Sequence, residues 1–197
     1  MKKIVLFAFI FLFTTSMYSQ KKKVVNSAAA KNTVALAKID NLVAEVKTGN
    51  FQITINENGK AKDAIIIKTA DAKFAPIDCK LSSFTASGTK LYLLTWTEKT
   101  LNKTDVKTEE ITTIYSNIYE ITSKKLALFN TQLTNHITEK VFLDKLKNAS
   151  ETQERMRREG FEFKLNADGS VTQKSKTQEN KLIYDIAKMQ YVSAKKK

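Results

Sequence analysis

Apolar and polar residues follow three patterns along this chain. Ile4 to Phe13 is apolar without interruption. Asn32 to Thr48 carries Leu36, Ile39, Val43 and Val46 at 3-4-3 spacing, with Ala35 and Leu42 flanking the stripe. That spacing predicts an amphipathic helix, with Asn32 as its N-cap and Gly49 as the left-handed residue that ends it. Much of the remainder alternates with the two-residue period of strands.

Phe51 to Ile55 alternates, Asn56-Glu57-Asn58-Gly59 reads as a type I turn with a left-handed glycine, and Ala64 to Lys68 returns as a second strand. Its three consecutive isoleucines suggest cover on both faces. Leu91 to Thr97 (LYLLTWT) predicts a central strand, preceded by a turn at Ala86 to Thr89. Trp96 and Ile66 are expected to be buried in neighbouring strands of one antiparallel sheet. Glu98 to Glu110 is polar and reads as a loop, whereas Ile111 to Ile121 and Leu126 to Leu133 have strand composition. Val141 to Leu146 fits a helix or a strand equally well.

Ser150 and Gln153 form a capping box, which predicts a short helix over residues 150–159 stopped by Gly160. Phe161 to Leu165 alternates, Asn166 to Gly169 turns, Val171 onward returns, and Leu182 to Val192 leans to strand. Phe51 to Gly59 aligns with Phe161 to Gly169 without a gap, which either an ancient duplication or shared turn chemistry explains. These elements predict an α+β fold: a single antiparallel, hairpin-rich sheet with an N-terminal helix and a short helix at 150–159. A curved or barrel-like all-β sheet is the alternative.

The uninterrupted run at the start follows Lys2 and Lys3 and precedes a polar stretch, Thr14 to Gln20. Positive, apolar and polar regions in that order are the marks of a secretory signal peptide, and ten apolar residues are too few to span a bilayer. Residues 1–20 are therefore read as a signal, cleaved after Ser16, Ser19 or Gln20. Residues 21–197 are read as one soluble domain with lysine-rich ends, periplasmic or secreted. No cysteine stands near the cleavage region, which excludes lipid attachment there. The one cysteine, Cys79, permits no disulfide within the chain.

The full chain has 33 basic and 20 acidic residues. Lys2 and Lys3 leave with the signal, so 31 cations face 20 acids, a net of +11. Lys21–Lys23 and Lys195–Lys197 hold six of these charges, and the body between carries only 25 cations against the 20 acids. A sequence-specific nucleic-acid reader concentrates cations on one face with aromatics interleaved, a pattern not seen here. Adherence to an anionic surface or polymer, or to a protein partner, remains compatible with the charge.

Catalytic constellations are missing. The one histidine, His136, has no ligand set at zinc spacing and no Gly-x-Ser-x-Gly elbow to serve. The Asn-x-Asn/Asp-Gly turns lack the first carboxylate of a calcium loop, having Thr54 and Lys164 there. No glycine loop suits a phosphate. The sequence thus points to no cofactor, no metal and no catalytic residue.

One cluster stands out. In a chain with 30 lysines, all three arginines, Arg155, Arg157 and Arg158, lie within four positions. Arginine grips carboxylates and phosphates with a two-pronged fork that lysine cannot copy, so these residues form a candidate anion or partner site. On a helix, Glu151–Arg155 and Glu154–Arg158 would pair at i,i+4 and leave Arg157 over. The leading functional reading is a non-catalytic exported binding domain. The alternatives are a carrier, with strands from Phe51 to Leu133 curled around an apolar ligand, and a carboxylate-based hydrolase. The mature N-terminus is expected between residues 17 and 21. Intact-mass analysis of exported protein checks it, and a species retaining residues 1–16 would refute it.

Overall fold

The computed structural model describes residues 34–71 and 73–194, all of them strand or connecting turn. Residues 1–20, expected to be a signal, Asn32 with the predicted N-cap, and both lysine-rich ends lie outside the described residues. Thirteen strands form three antiparallel sheets, each a meander of sequence neighbours. Sheet 1 comprises β1 (Val34–Ile39), β2 (Leu42–Lys47), β3 (Asn50–Glu57) and β4 (Lys60–Thr69). Sheet 2 comprises β5 (Ile77–Ala86), β6 (Thr89–Lys103), β7 (Lys107–Glu120), β8 (Lys125–Phe142) and β9 (Ser150–Gly160). Sheet 3 comprises β10 (Glu162–Leu165), β11 (Val171–Lys174), β12 (Glu179–Asp185) and β13 (Gln190–Ser193).

This overturns the α+β expectation and its single sheet: no helix occurs among the described residues, and the all-β alternative fits. The stripe from Leu36 to Val46 is broken by Asp40–Asn41, which connect β1 to β2 so that Ile39 pairs with Leu42. Val34, Ile39, Val43 and Val46 are β-branched and suit strands, and Asp-Asn is turn chemistry. Gly49 marks a hairpin instead of a helix end. Thr48 and Gly49 both take positive φ (49° and 76°), as do Asn58 and Gly59 (52° and 76°). Each pair forms a two-residue type I′ connection, the turn whose twist matches that of paired strands. A helix C′ residue and a type I′ turn demand the same left-handed backbone, so glycine alone does not tell them apart.

The second expected helix, residues 150–159, is strand β9. Its Glu, Gln, Arg and Met favour helix, but a helix this short is marginal in water and has no apolar stripe to bury. Pairing with β8 along its whole length supplies the hydrogen bonds instead. The polar segment from Glu98 to Glu110, expected as a loop, belongs mostly to β6 and β7, whose register runs from Tyr92–Tyr119 to Lys103–Thr108. Cross-strand hydrogen bonding extends these strands past the point where apolar burial ends. The two aligned hairpins also differ: Asn58–Gly59 is a two-residue turn, whereas Asn166–Ser170 is a longer loop in which Gly169 takes φ 77°.

Sheet 2 lies between the other two. Tyr92, Leu94 and Trp96 on one face of β6 pack with Leu42, Phe51 and Ile53 of sheet 1. Leu91 on the opposite face packs with Val171, Leu182 and Tyr191 of sheet 3. Phe51 meets Trp96 edge-on at 5.1 Å between ring centroids. At the tip of sheet 1, Asp40 accepts hydrogen bonds from Lys90 (2.7 Å) and the Tyr92 hydroxyl (3.0 Å) of sheet 2. On the other side, Asn130 of β8 donates to the Phe161 carbonyl and accepts from Gln173 of β11, at 3.0 and 2.9 Å. The expected pairing of Trp96 with Ile66 does not occur. They lie in different sheets, and Ile66 is 63% exposed while Ile65 beside it is buried. Strand alternation turns the middle isoleucine outward, because sheet 1 is covered on the Ile65 side.

Gly169 sits where sheet 3 comes closest to the β5–β6 hairpin. A Cβ there would lie 2.5 Å from the Thr85 carbonyl oxygen and 2.7 Å from the Ala86 Cβ. Gly88 has similar backbone (φ 79°) with no atom within 4 Å of such a Cβ. Gly88→Ala should therefore cost about 1 kcal/mol from backbone strain alone. Gly169→Ala should cost at least twice that, as the sheets must part. Denaturant unfolding of the two variants checks the difference. Trp96→Ala should cost about 3–5 kcal/mol, and Ile66→Ala, exposed, about 0.5 kcal/mol or less. Equal losses for the last two would show the layer order to be wrong.

Candidate functional site

β8 spans 18 residues, about 60 Å at roughly 3.3 Å per residue, far longer than any strand of sheets 1 and 3. The far part of sheet 2 therefore extends beyond their cover as an arm. Every residue of β9, its edge strand, is exposed. Six of the eleven are charged, three of each sign, which discourages pairing with another open strand.

Strand geometry divides the arginines. Arg155 and Arg157 pair with Ile137 and Asn135, on the face of the arm that continues from Tyr115 and Asn117. Arg158 pairs with Thr134 and points to the opposite face, with Met156 and Glu154. The helical i,i+4 pairs, Glu151–Arg155 and Glu154–Arg158, do not form. Arg155 instead meets Glu139 of β8 at 2.9 Å, and Arg157 meets Glu159 at 3.3 Å. Glu154 lies 3.9 Å from the His136 imidazole. Arg158 has no carboxylate partner among the described residues.

Arg158 faces a groove of about 1080 Å³ between β9 and the β11–β12 connection, lined also by Lys174, Lys176, Ser175 and Thr177. Lys174 and Lys176 likewise make no ion pair among the described residues. Glu159 and Glu162 also line the groove, but Glu159 is engaged with Arg157. Arg157 lines the groove as well but is engaged with Glu159, so the structure brings two of the three expected arginines, only Arg158 of them without an ion pair, together with two further lysines. Gly160 makes this possible: it takes φ 77° and passes so close to the Thr131 carbonyl that any Cβ would collide with it. Phe161 N–H then donates to that carbonyl at 3.0 Å, and the chain leaves sheet 2 to begin sheet 3.

The carboxyls whose pKa departs from the ordinary value all move downward. Hydrogen bonds from Lys90, Lys124, Lys107 and Ser170 lower Asp40, Asp63, Glu109 and Asp168 respectively. For Glu120, burial pushes upward and hydrogen bonds from Ser123 and Thr122 outweigh it. These low values imply that the protein loses stability as pH falls through the carboxylate range, since stabilisation by the charged form is present above the unfolded pKa and vanishes below the folded one.

Compared with known proteins, the chain matches no family model, no curated protein and no solved structure. Its site is therefore judged on its own geometry.

Cys79 is packed beside the sheet 1–sheet 2 core, and burial pushes its thiol up to about 11. At pH 8 its thiolate fraction should then be on the order of 10⁻³. Alkylation of the folded protein should be slow at pH 8 and accelerate up to about pH 11. Labelling at the rate of a free thiol at pH 8 would contradict this packing.

Proposed function

We propose that this chain is an exported, non-catalytic binding domain that holds anionic groups of a polymer in the groove beside β9. The observation that carries the reading is the convergence of Arg158, Lys174 and Lys176 from two sheets on one groove, none of them within 4 Å of a carboxylate among the described residues, although Glu162 and Glu179 stand opposite Lys174 in the ladder. Guarding an open edge accounts for mixed charge on β9, but not for unpaired cations facing it from sheet 3. Guanidinium beside ammonium groups suits sulfate, phosphate or carboxylate, and an open groove whose cations come from two sheets suits a ligand carrying more than one anionic group. Export is supported by residues 2–20, whose order of charged, apolar and polar regions is that of a signal peptide. The curled-carrier alternative asked for a closed or strongly curved sheet with an apolar, unfilled interior. All three sheets are instead open meanders, with Trp96, Phe51, Leu91 and Val171 filling the space between them.

The test is retention of the protein on an immobilised sulfated polysaccharide at two salt concentrations. Arg158→Lys keeps the charge but loses the fork, and should elute at lower salt than wild type. So should the triple change of Arg155, Arg157 and Arg158 to Lys, whereas Arg157→Lys alone should behave as wild type. Lys174→Ala with Lys176→Ala should weaken retention further, with a shallower salt dependence. Equal elution of wild type, the Arg158 variant and the triple variant would reduce the arginines to solvated edge charges.

A further inference from the structure

A second concavity lies on the other side of the molecule, where the outer end of β4 stands over β7 and β8. It is a cleft of about 450 Å³, within the range of small-molecule sites. Apolar side chains left open contribute to its lining: Phe129 is 56% exposed and Leu126 43%. Tyr115 forms part of the lining, stacked flat on Trp96 at 4.5 Å with planes only 6° apart. Phe129 stands 6.5 Å from Tyr115, tilted across it. A rigid aromatic ledge with a second ring at its margin is a surface that receives a flat apolar body.

The polar groups of the cleft divide sharply. Lys68 and Lys124, both at the cleft, are already engaged: Lys68 by Glu98 at 3.0 Å, and Lys124 by Asp63. Glu98 is held in addition by the Trp96 indole N–H at 2.8 Å. Nothing charged is left for an ionic ligand. Asn117 is different. It is 2% exposed and lines the cleft, its Nδ2 donates to the Tyr119 hydroxyl at 3.2 Å, and its Oδ1 has no partner at all. A buried amide oxygen left without a hydrogen bond costs about 1–3 kcal/mol, and a neighbouring apolar residue of similar size would have avoided it. The position on β7 between Tyr115 and Tyr119, facing sheet 1, gives no structural reason for an amide.

From this geometry we infer that the cleft is a binding site for a small, uncharged, hydroxyl-bearing apolar molecule, a phenol or a ring alcohol, whose ring lies against Tyr115 and Phe129 and whose hydroxyl meets the free edge of the Asn117 amide. A hydroxyl both donates and accepts, so it satisfies this edge in either rotation of the amide. The site is separate from the groove beside β9 and does not depend on the function assigned to that groove.

Amide-resolved NMR titration of the purified protein with p-cresol and, separately, with toluene tests the inference. p-Cresol should shift the amides of Tyr115 to Tyr119 and Leu126 to Phe129 with a Kd of about 1 mM or tighter. Toluene, of the same shape without the hydroxyl, should bind about tenfold more weakly. Asn117→Leu removes the amide and leaves an apolar floor, and it should abolish that preference without abolishing toluene binding. Phe129→Ala, at an exposed position that does not threaten folding, should weaken both ligands. Equal affinity for the two probes, persistence of the preference in the Asn117 variant, or no shift of these amides at millimolar probe would each overturn the proposal.

Discussion

Two-sided burial of β6 is the constraint on which this architecture depends. Its residues alternate Tyr92, Leu94 and Trp96 toward one face with Leu91 and Leu93 toward the other, and neither set tolerates water. A strand apolar on both faces must sit in a middle layer. Sheet 1 and sheet 3 each bury only one side well, and each finds its partner surface on sheet 2. The close approaches follow from this layering. Phe51 seats on the edge of Trp96, and Gly169 lets sheet 3 settle against Thr85 and Ala86.

Where β6 becomes polar, from Glu98 to Lys103, that constraint lapses but hydrogen bonding between strands does not. β7, β8 and β9 continue together as an arm stabilised mainly by its ladder. The arm is mostly polar and charged at its edge, although Ile137 within it is only 3% exposed. Where the arm passes another sheet, strand alternation puts Arg158 on the face turned toward sheet 3 and Arg155 and Arg157 on the opposite one. Layer packing produces the second concavity as well, since sheet 1 is narrower than sheet 2 is long. Phe129 and Leu126 are left open beyond β4.

The hairpins were readable from the chain because turn chemistry is local. Asn58-Gly59, Ser87-Gly88 and the Asn166–Gly169 region connect strands as their residues require. The helices were misread for physical reasons. The 3-4-3 spacing of Leu36, Ile39, Val43 and Val46 also fits two short strands folded back at Asp40–Asn41, and the β-branched content was the better guide. For β9, intrinsic helix preference amounts to tenths of a kcal/mol per residue, less than continuous pairing with a long neighbour. The arginine cluster was visible as composition. Its division between two faces depended on a period of two instead of 3.6, and its lysine companions belong to a different sheet.

By itself the sequence determined the signal-like leader, the positions of the tight turns, the apolar strand at Leu91 to Thr97 and the concentration of arginine near residue 157. Each of these is a local property, set by side-chain chemistry within a few residues. Tertiary structure alone decided that there are three sheets, that Ile66 faces outward while Ile65 does not, that Arg158 shares a groove with Lys174 and Lys176, and that Asn117 is left with an unanswered carbonyl beneath an open aromatic ledge. These depend on which layers meet and where their cover ends, and such distant pairings are encoded only in the summed burial of the whole chain.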